Sequence, residues 1–144
     1  MKRFPLVLVL AFVFFHAVTL AQKAAEPEQD PKTTQAYSML IQQKVKLQAE
    51  LEDLLSAYTS DWPKSKGVQF ELETLKTEMK KMAEVEESRV IKLTSGYGSL
   101  VLRRVALVTE VHMLSEENAS DWPRLKQKQR ELELLDEEIQ TVMR

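Results

Sequence analysis

The chain contains no cysteine. That excludes a lipid anchored through a thiol at the processing site, thiolate metal ligands and every disulfide. Glycine is nearly as scarce, with three in 144 residues, so no glycine-rich loop can cradle a phosphate. Histidine occurs twice, as His16 and His112, and the first falls inside an apolar N-terminal run. The one remaining imidazole would have to serve any Ser-His-Asp grouping. It also lacks the Glu-x-x-His spacing of di-iron bundles, because Glu110 stands two residues before it. His112 therefore reads as a helix-surface side chain. The acids Glu131, Glu133, Asp136, Glu137 and Glu138 are dense but spread around a helix rather than forming a facing pair. These absences predict a protein that is not an enzyme and needs no cofactor or metal.

Positive charge is not in excess either. Twenty Lys and Arg stand against twenty-two Asp and Glu, for a formal net charge of -2. A phosphate backbone calls for a basic face, so nucleic acid is not an expected partner.

What is present begins with an address. The opening MKRFPLVLVLAFVFFHAVTLAQ sets Lys2 and Arg3 before an apolar run that ends at the small residue Ala21. These are the parts of a secretory signal, predicted over residues 1–21 and cleaved after Ala21. The product is expected to be secreted or periplasmic, and the lack of disulfides favours a bacterial envelope. The competing reading is an uncleaved membrane anchor, since the run approaches the ~17 to 25 residues that span a bilayer. Asn118-Ala119-Ser120 matches an N-glycosylation acceptor and reads better as a chance match at a helix end. Residues 22–34, with Pro27, Pro31 and alternating charges, read as a flexible leader.

Beyond the leader the chain is written twice. The stretch Ser60-Asp61-Trp62-Pro63 recurs as Ser120-Asp121-Trp122-Pro123, and the 60-residue spacing carries far past it. Upstream, Tyr37, Leu40, Val45, Leu47, Glu50 and Leu54 recur as Tyr97, Leu100, Val105, Leu107, Glu110 and Leu114. Downstream, Lys66, Gln69, Glu71, Leu72, Glu73, Leu75 and Glu78 recur as Lys126, Gln129, Glu131, Leu132, Glu133, Leu135 and Glu138. Such ungapped identity reads as an internal duplication.

Each unit reads as helix, turn, helix. In the first arm Tyr37, Leu40, Leu47, Leu51, Leu54 and Tyr58 make an apolar stripe with a gap at Lys44. Val68, Leu72, Leu75, Met79 and Met82 do so in the second arm, and Leu125, Leu132, Leu135, Ile139 and Val142 in the fourth. The third arm is rich in β-branched residues and could pass for a strand. The duplication decides for a helix, with Val101, Leu102, Val105 and Val108 making it the most buried arm. The predicted fold is all-α: two tandem antiparallel helical hairpins, over 35–83 and 97–144, packed as a four-helix bundle. Residues 84–96 are a connector or an extension of a long second helix. Gly96 and Gly98 are expected to mark a turn.

The repeated motif has an architectural explanation. Proline forces Trp62 and Trp122 into extended backbone and suits the first helical position, so helices should begin at Pro63 and Pro123. Asp61 and Asp121 are expected to cap those helices, opposing the basic Lys64, Lys66, Arg124 and Lys126. The two indoles would close the open end of the core. A second reading makes Trp62 and Trp122 an exposed aromatic binding site for a partner.

Export, amphipathic arms containing Met39, Met79, Met82, Met113 and Met143, and the missing catalytic groups together predict a protein that binds other proteins. It would act as a chaperone, adaptor or inhibitor. The alternative is a structural, self-associating protein of the envelope, a homodimer or longer assembly built by pairing of an overhanging second arm.

Overall fold

The computed structural model of the chain describes residues 30–116 and 122–144, and every regular element among them is helical. The helices are α1 (Gln35–Ala57), α2 (Pro63–Ala83), the single turn α3 (Glu87–Val90), α4 (Ser95–Glu116) and α5 (Trp122–Met143). The β-branched third arm is thus helical. None of the described helices is long and apolar enough to cross a membrane; the N-terminal apolar run lies outside the described residues.

Two threonines start the odd arms. The Tyr37 N–H donates to Thr34 Oγ1 at 3.3 Å, and the Tyr97 N–H donates to Thr94 Oγ1 at the same distance. Both caps satisfy a first-turn N–H that has no partner inside the helix. Thr34 and Thr94 are themselves sixty residues apart, so the correspondence between the units extends three residues upstream of Tyr37 and Tyr97. Residues 30–34, expected as flexible leader, form an ordered approach to α1. Asp30 Oδ1 accepts from the Lys32 N–H at 2.9 Å, and the Thr34 hydroxyl donates to the Pro31 carbonyl at 2.7 Å.

The long second helix is not formed. The helix α2 stops at Ala83, with Lys80 and Lys81 in its last turn, where cations oppose the dipole. Burial explains the break. Val90 and Leu93 are buried, and Val85 packs against the core. A straight continuation would carry all three past the end of the other helices. Turning back through α3 keeps them under cover, and of the apolar residues in this segment only Ile91 is left exposed. With α2 ending at Ala83, the described residues contain no overhang of the second arm.

Gly96 and Gly98 do not mark a turn; they lie in the first turn of α4. Gly98 is needed for approach. A Cβ there would stand 2.9 Å from the Ala36 Cα and 3.3 Å from the Ala36 carbonyl. The starts of α1 and α4 therefore touch backbone to backbone and the two helices run parallel. At the far end of the molecule Gly67 of α2 lies by the Met113 side chain of α4, which sets α2 antiparallel to α4.

The helices α1, α2 and α4 pack against one another pairwise, while α5 packs along α4. The core is Leu40, Leu47 and Leu54 of α1, Val68, Leu72, Leu75 and Met82 of α2, and Val101 and Val105 of α4. Each such side chain contributes about 1.5 to 3 kcal/mol by leaving water. The first two arms thus bury the expected stripes, apart from exposed Tyr58. The third arm differs, because Val101 and Val105 are fully buried while Leu100 and Leu114 are half-buried.

The fourth arm departs furthest from an even four-helix bundle. Of its expected stripe Leu125 and Leu135 are buried, Leu132 and Ile139 are half-buried and Val142 is exposed. Buried Val68 corresponds to Lys128, whose ammonium reaches Glu110 at 3.0 Å and Glu131 at 3.2 Å. A lysine in that row ties α5 to the flank of α4 by charge.

Two outcomes check this packing. Gly98→Ala forces backbone apart and should cost about 1 to 3 kcal/mol in chemical denaturation. Gly67→Ala, whose new Cβ meets only Met113 atoms at 3.6 Å and beyond, should gain about 0.5 to 1 kcal/mol. Where α1 meets α2, burial pushes the Glu71 carboxyl above its ordinary value, against the opposing effect of a 3.4 Å hydrogen bond from Gln43. The folded state therefore holds this proton more tightly than the unfolded state. The resulting stability is complete at acid pH and is lost as pH rises through the folded value. Glu71→Gln should melt higher than the parent at pH 7, and the gap should close below about pH 4.

Candidate binding groove between α2, α4 and α5

The two tryptophans sit in unlike surroundings. Trp62 is the N-cap of α2, in extended backbone with φ -64° and ψ 134°, followed by Pro63 at the first helical position. Its indole is half-buried against the core and stacks on Tyr58, centroids 4.0 Å apart at 15°. Trp122 begins α5 one residue before the expected Pro123. It is 53 % exposed, with the Lys126 ammonium 5.2 Å from its ring centroid. Among the described residues the two indoles make no ring contact with each other, so they do not form one aromatic surface.

The carboxylate cap expected of Asp61 is not made. The α2 N-cap has no side-chain hydrogen bond, and the Asp61 carboxylate lies 3.6 Å from the Lys66 ammonium instead. Because Trp62 takes the N-cap position, Asp61 falls one residue too early to reach the free N–H groups. The basic first turn is offset from the neighbouring helix, where Glu50 approaches Lys64 at 3.2 Å. Asp121 lies outside the described residues.

His112 is not a plain surface residue. Its ring stacks on Phe70 of α2 at 3.8 Å and 12°, and its Nε2 lies 3.7 Å from Glu116. An open hollow of about 420 Å³ beside it is bordered by Lys66, Gln69 and Glu73. Among the described residues no three His, Cys, Asp or Glu side chains gather as a metal site.

The more structured concavity is one that no motif announces. Because α5 rides on α4, a groove of about 310 Å³ opens between the C-terminal halves of α2 and α5 and the N-terminal half of α4. Met82, Val85, Val101 and Ile139 give it apolar walls, and Tyr97 and Gln140 add polar groups. Arg104 spans it. Its Nη1 donates to Glu78 of α2 at 3.0 Å, and its Nε donates to Asp136 of α5 at 2.6 Å. Lys81 also reaches Glu78, at 2.8 Å. Burial raises the Tyr97 hydroxyl above its usual range, the Glu78 charge adds to this, and Arg104 works against it. Two carboxylates and two cations thus balance, and the polar bridge holds the apolar walls apart.

Repeat logic carried a signal for this groove. Arg104 corresponds to Lys44, the gap in the first stripe, and Asp136 corresponds to Lys76. The charge is reversed at the second of these positions, and Asp136 is the carboxylate that Arg104 meets. Compared with models of known protein families, with curated proteins and with solved structures, the chain matches none.

The unequal tryptophans yield a direct check. Trp62→Ala should cost about 2 kcal/mol, less than a fully buried aromatic would, whereas Trp122→Ala should stay within about 0.5 kcal/mol. Equal losses in thermal melts would contradict the asymmetry.

Proposed function

We propose that this is an exported, non-catalytic helical protein that binds another protein through the groove between α2, α4 and α5. Its two tandem hairpins derive from one duplicated unit and form a four-helix bundle left open along that groove. The N-terminal segment directs it to the periplasm or the exterior and is removed after Ala21. The observation that carries the reading is the pairing of apolar walls at Val85 and Ile139 with the Glu78, Arg104 and Asp136 bridge. An amphipathic segment of a partner can lay its apolar face on such walls while its polar groups exchange with the bridging charges. The role is chaperone-, adaptor- or inhibitor-like, with no cofactor.

The test is site-specific photocrosslinking in the producing cell, with the photoreactive residue at Ile139 or, as control, at Leu134, which is exposed on α5. Ile139 should give a defined adduct that mass spectrometry resolves into the protein and a partner, and Leu134 should not. One stoichiometric partner identifies an adaptor or inhibitor, and a set of unrelated exported proteins identifies a chaperone. Equal labelling from both positions removes the groove from consideration, and adducts containing only this chain favour the self-associating alternative.

A further inference from the structure

The outer side of α1 carries a second pattern. Ile41, Val45, Gln48, Glu52 and Leu55 step by four, three, four and three residues, the spacing of a helix-pairing seam. Among the described residues no other element covers this row. Ile41, Val45 and Leu55 are 43 %, 59 % and 46 % exposed, while α2 and α4 pack on a different side of α1, centred about 120° round the helix, through Leu40, Leu47 and Leu54. The stripe runs about 20 Å at 1.5 Å per residue. Three large apolar side chains aligned on one exposed stripe differ from apolar residues scattered singly over a surface.

The charges along the row select its occupant. Lys44 flanks the N-terminal half and Glu52 lies in the C-terminal half, and neither makes an ion pair among the described residues. A two-fold axis at Gln48 relates position 41 to 55 and position 44 to 52. An antiparallel second copy therefore sets Ile41 on Leu55 and Lys44 beside Glu52, each contact occurring twice by symmetry. At the axis the two Gln48 amides face each other, and each can donate and accept. A parallel copy would bring lysine to lysine and glutamate to glutamate. We propose that this face of α1 is a homodimer interface in which two copies pack α1 against α1, antiparallel about Gln48. It shares no residue with the groove between α2, α4 and α5, so a dimer would present two such grooves.

Sedimentation equilibrium tests this on protein expressed from the full-length coding sequence and purified in the form that export leaves it. The expected result is a dimer at micromolar concentration. Val45→Glu should convert it to monomer while circular dichroism remains helical. Lys44→Glu should weaken association about tenfold, and adding Glu52→Lys should restore most of it, since opposite charges are then re-paired. A monomer throughout the micromolar range overturns the proposal. So does a dimer that survives Val45→Glu, or a charge-swapped double variant no tighter than Lys44→Glu alone.

Discussion

The arrangement of the whole molecule follows from one constraint, the need to cover α4 on several sides. Its apolar residues are not confined to a stripe: Val101, Val105 and Leu107 are buried, and Leu100, Leu102, Val108, Val111 and Leu114 are half-buried. A helix with so little polar surface is stable only when surrounded. Neighbours α1 and α2 cover one part of its circumference and α5 another. Gly98 lets α1 approach until backbone meets backbone, which brings the capped starts of both helices to the same end of the molecule.

Helical periodicity made much of this legible. The stripes of α1 and α2 could be read residue by residue, since those helices each bury one face and 3.6-residue spacing reports a single face well. The proline signal was equally local and placed the start of α2 correctly. Decisions that depend on three-dimensional competition were not legible. The end of α2 at Ala83 reflects the gain from burying Val90 and Leu93, which no local preference encodes. Gly98 reads as a turn former in sequence and acts as a contact surface. Buried Ser65 matches Leu125 in the other unit, so even aligned core positions need not share chemistry.

The groove was hidden for a related reason. Its components come from three helices, and they mix positions that match at the sixty-residue spacing, such as Glu78 with Glu138 and Tyr97 with Tyr37, with positions that do not, such as Asp136 with Lys76. Residues that match at that spacing can serve the same local need, as Thr34 and Thr94 do at the caps. Asp136 against Lys76 is a divergence of charge, whereas Arg104 against Lys44 keeps the charge and changes the cation, and Arg104 and Asp136 meet in a single bridge.

That distinction also separates the two hairpins in the proposed reading. Lys128 stands where the first unit has Val68, and it is held by Glu110 and Glu131. The lysine spends its charge at the edge of α4, so α5 is retained by ion pairs on one helix and by only two buried leucines. Such an attachment is weaker than the apolar packing of α1 on α2, and local opening is expected where buried contacts are fewest. The proposed binding groove therefore lies beside the helix that can yield most readily, while the proposed dimer face lies on α1, the helix that the core holds in place through Leu40, Leu47 and Leu54. The two proposed surfaces share no residue, and the groove differs from the α1 face in having one wall on α5, which packs on α4 alone, while α1 packs on both α2 and α4.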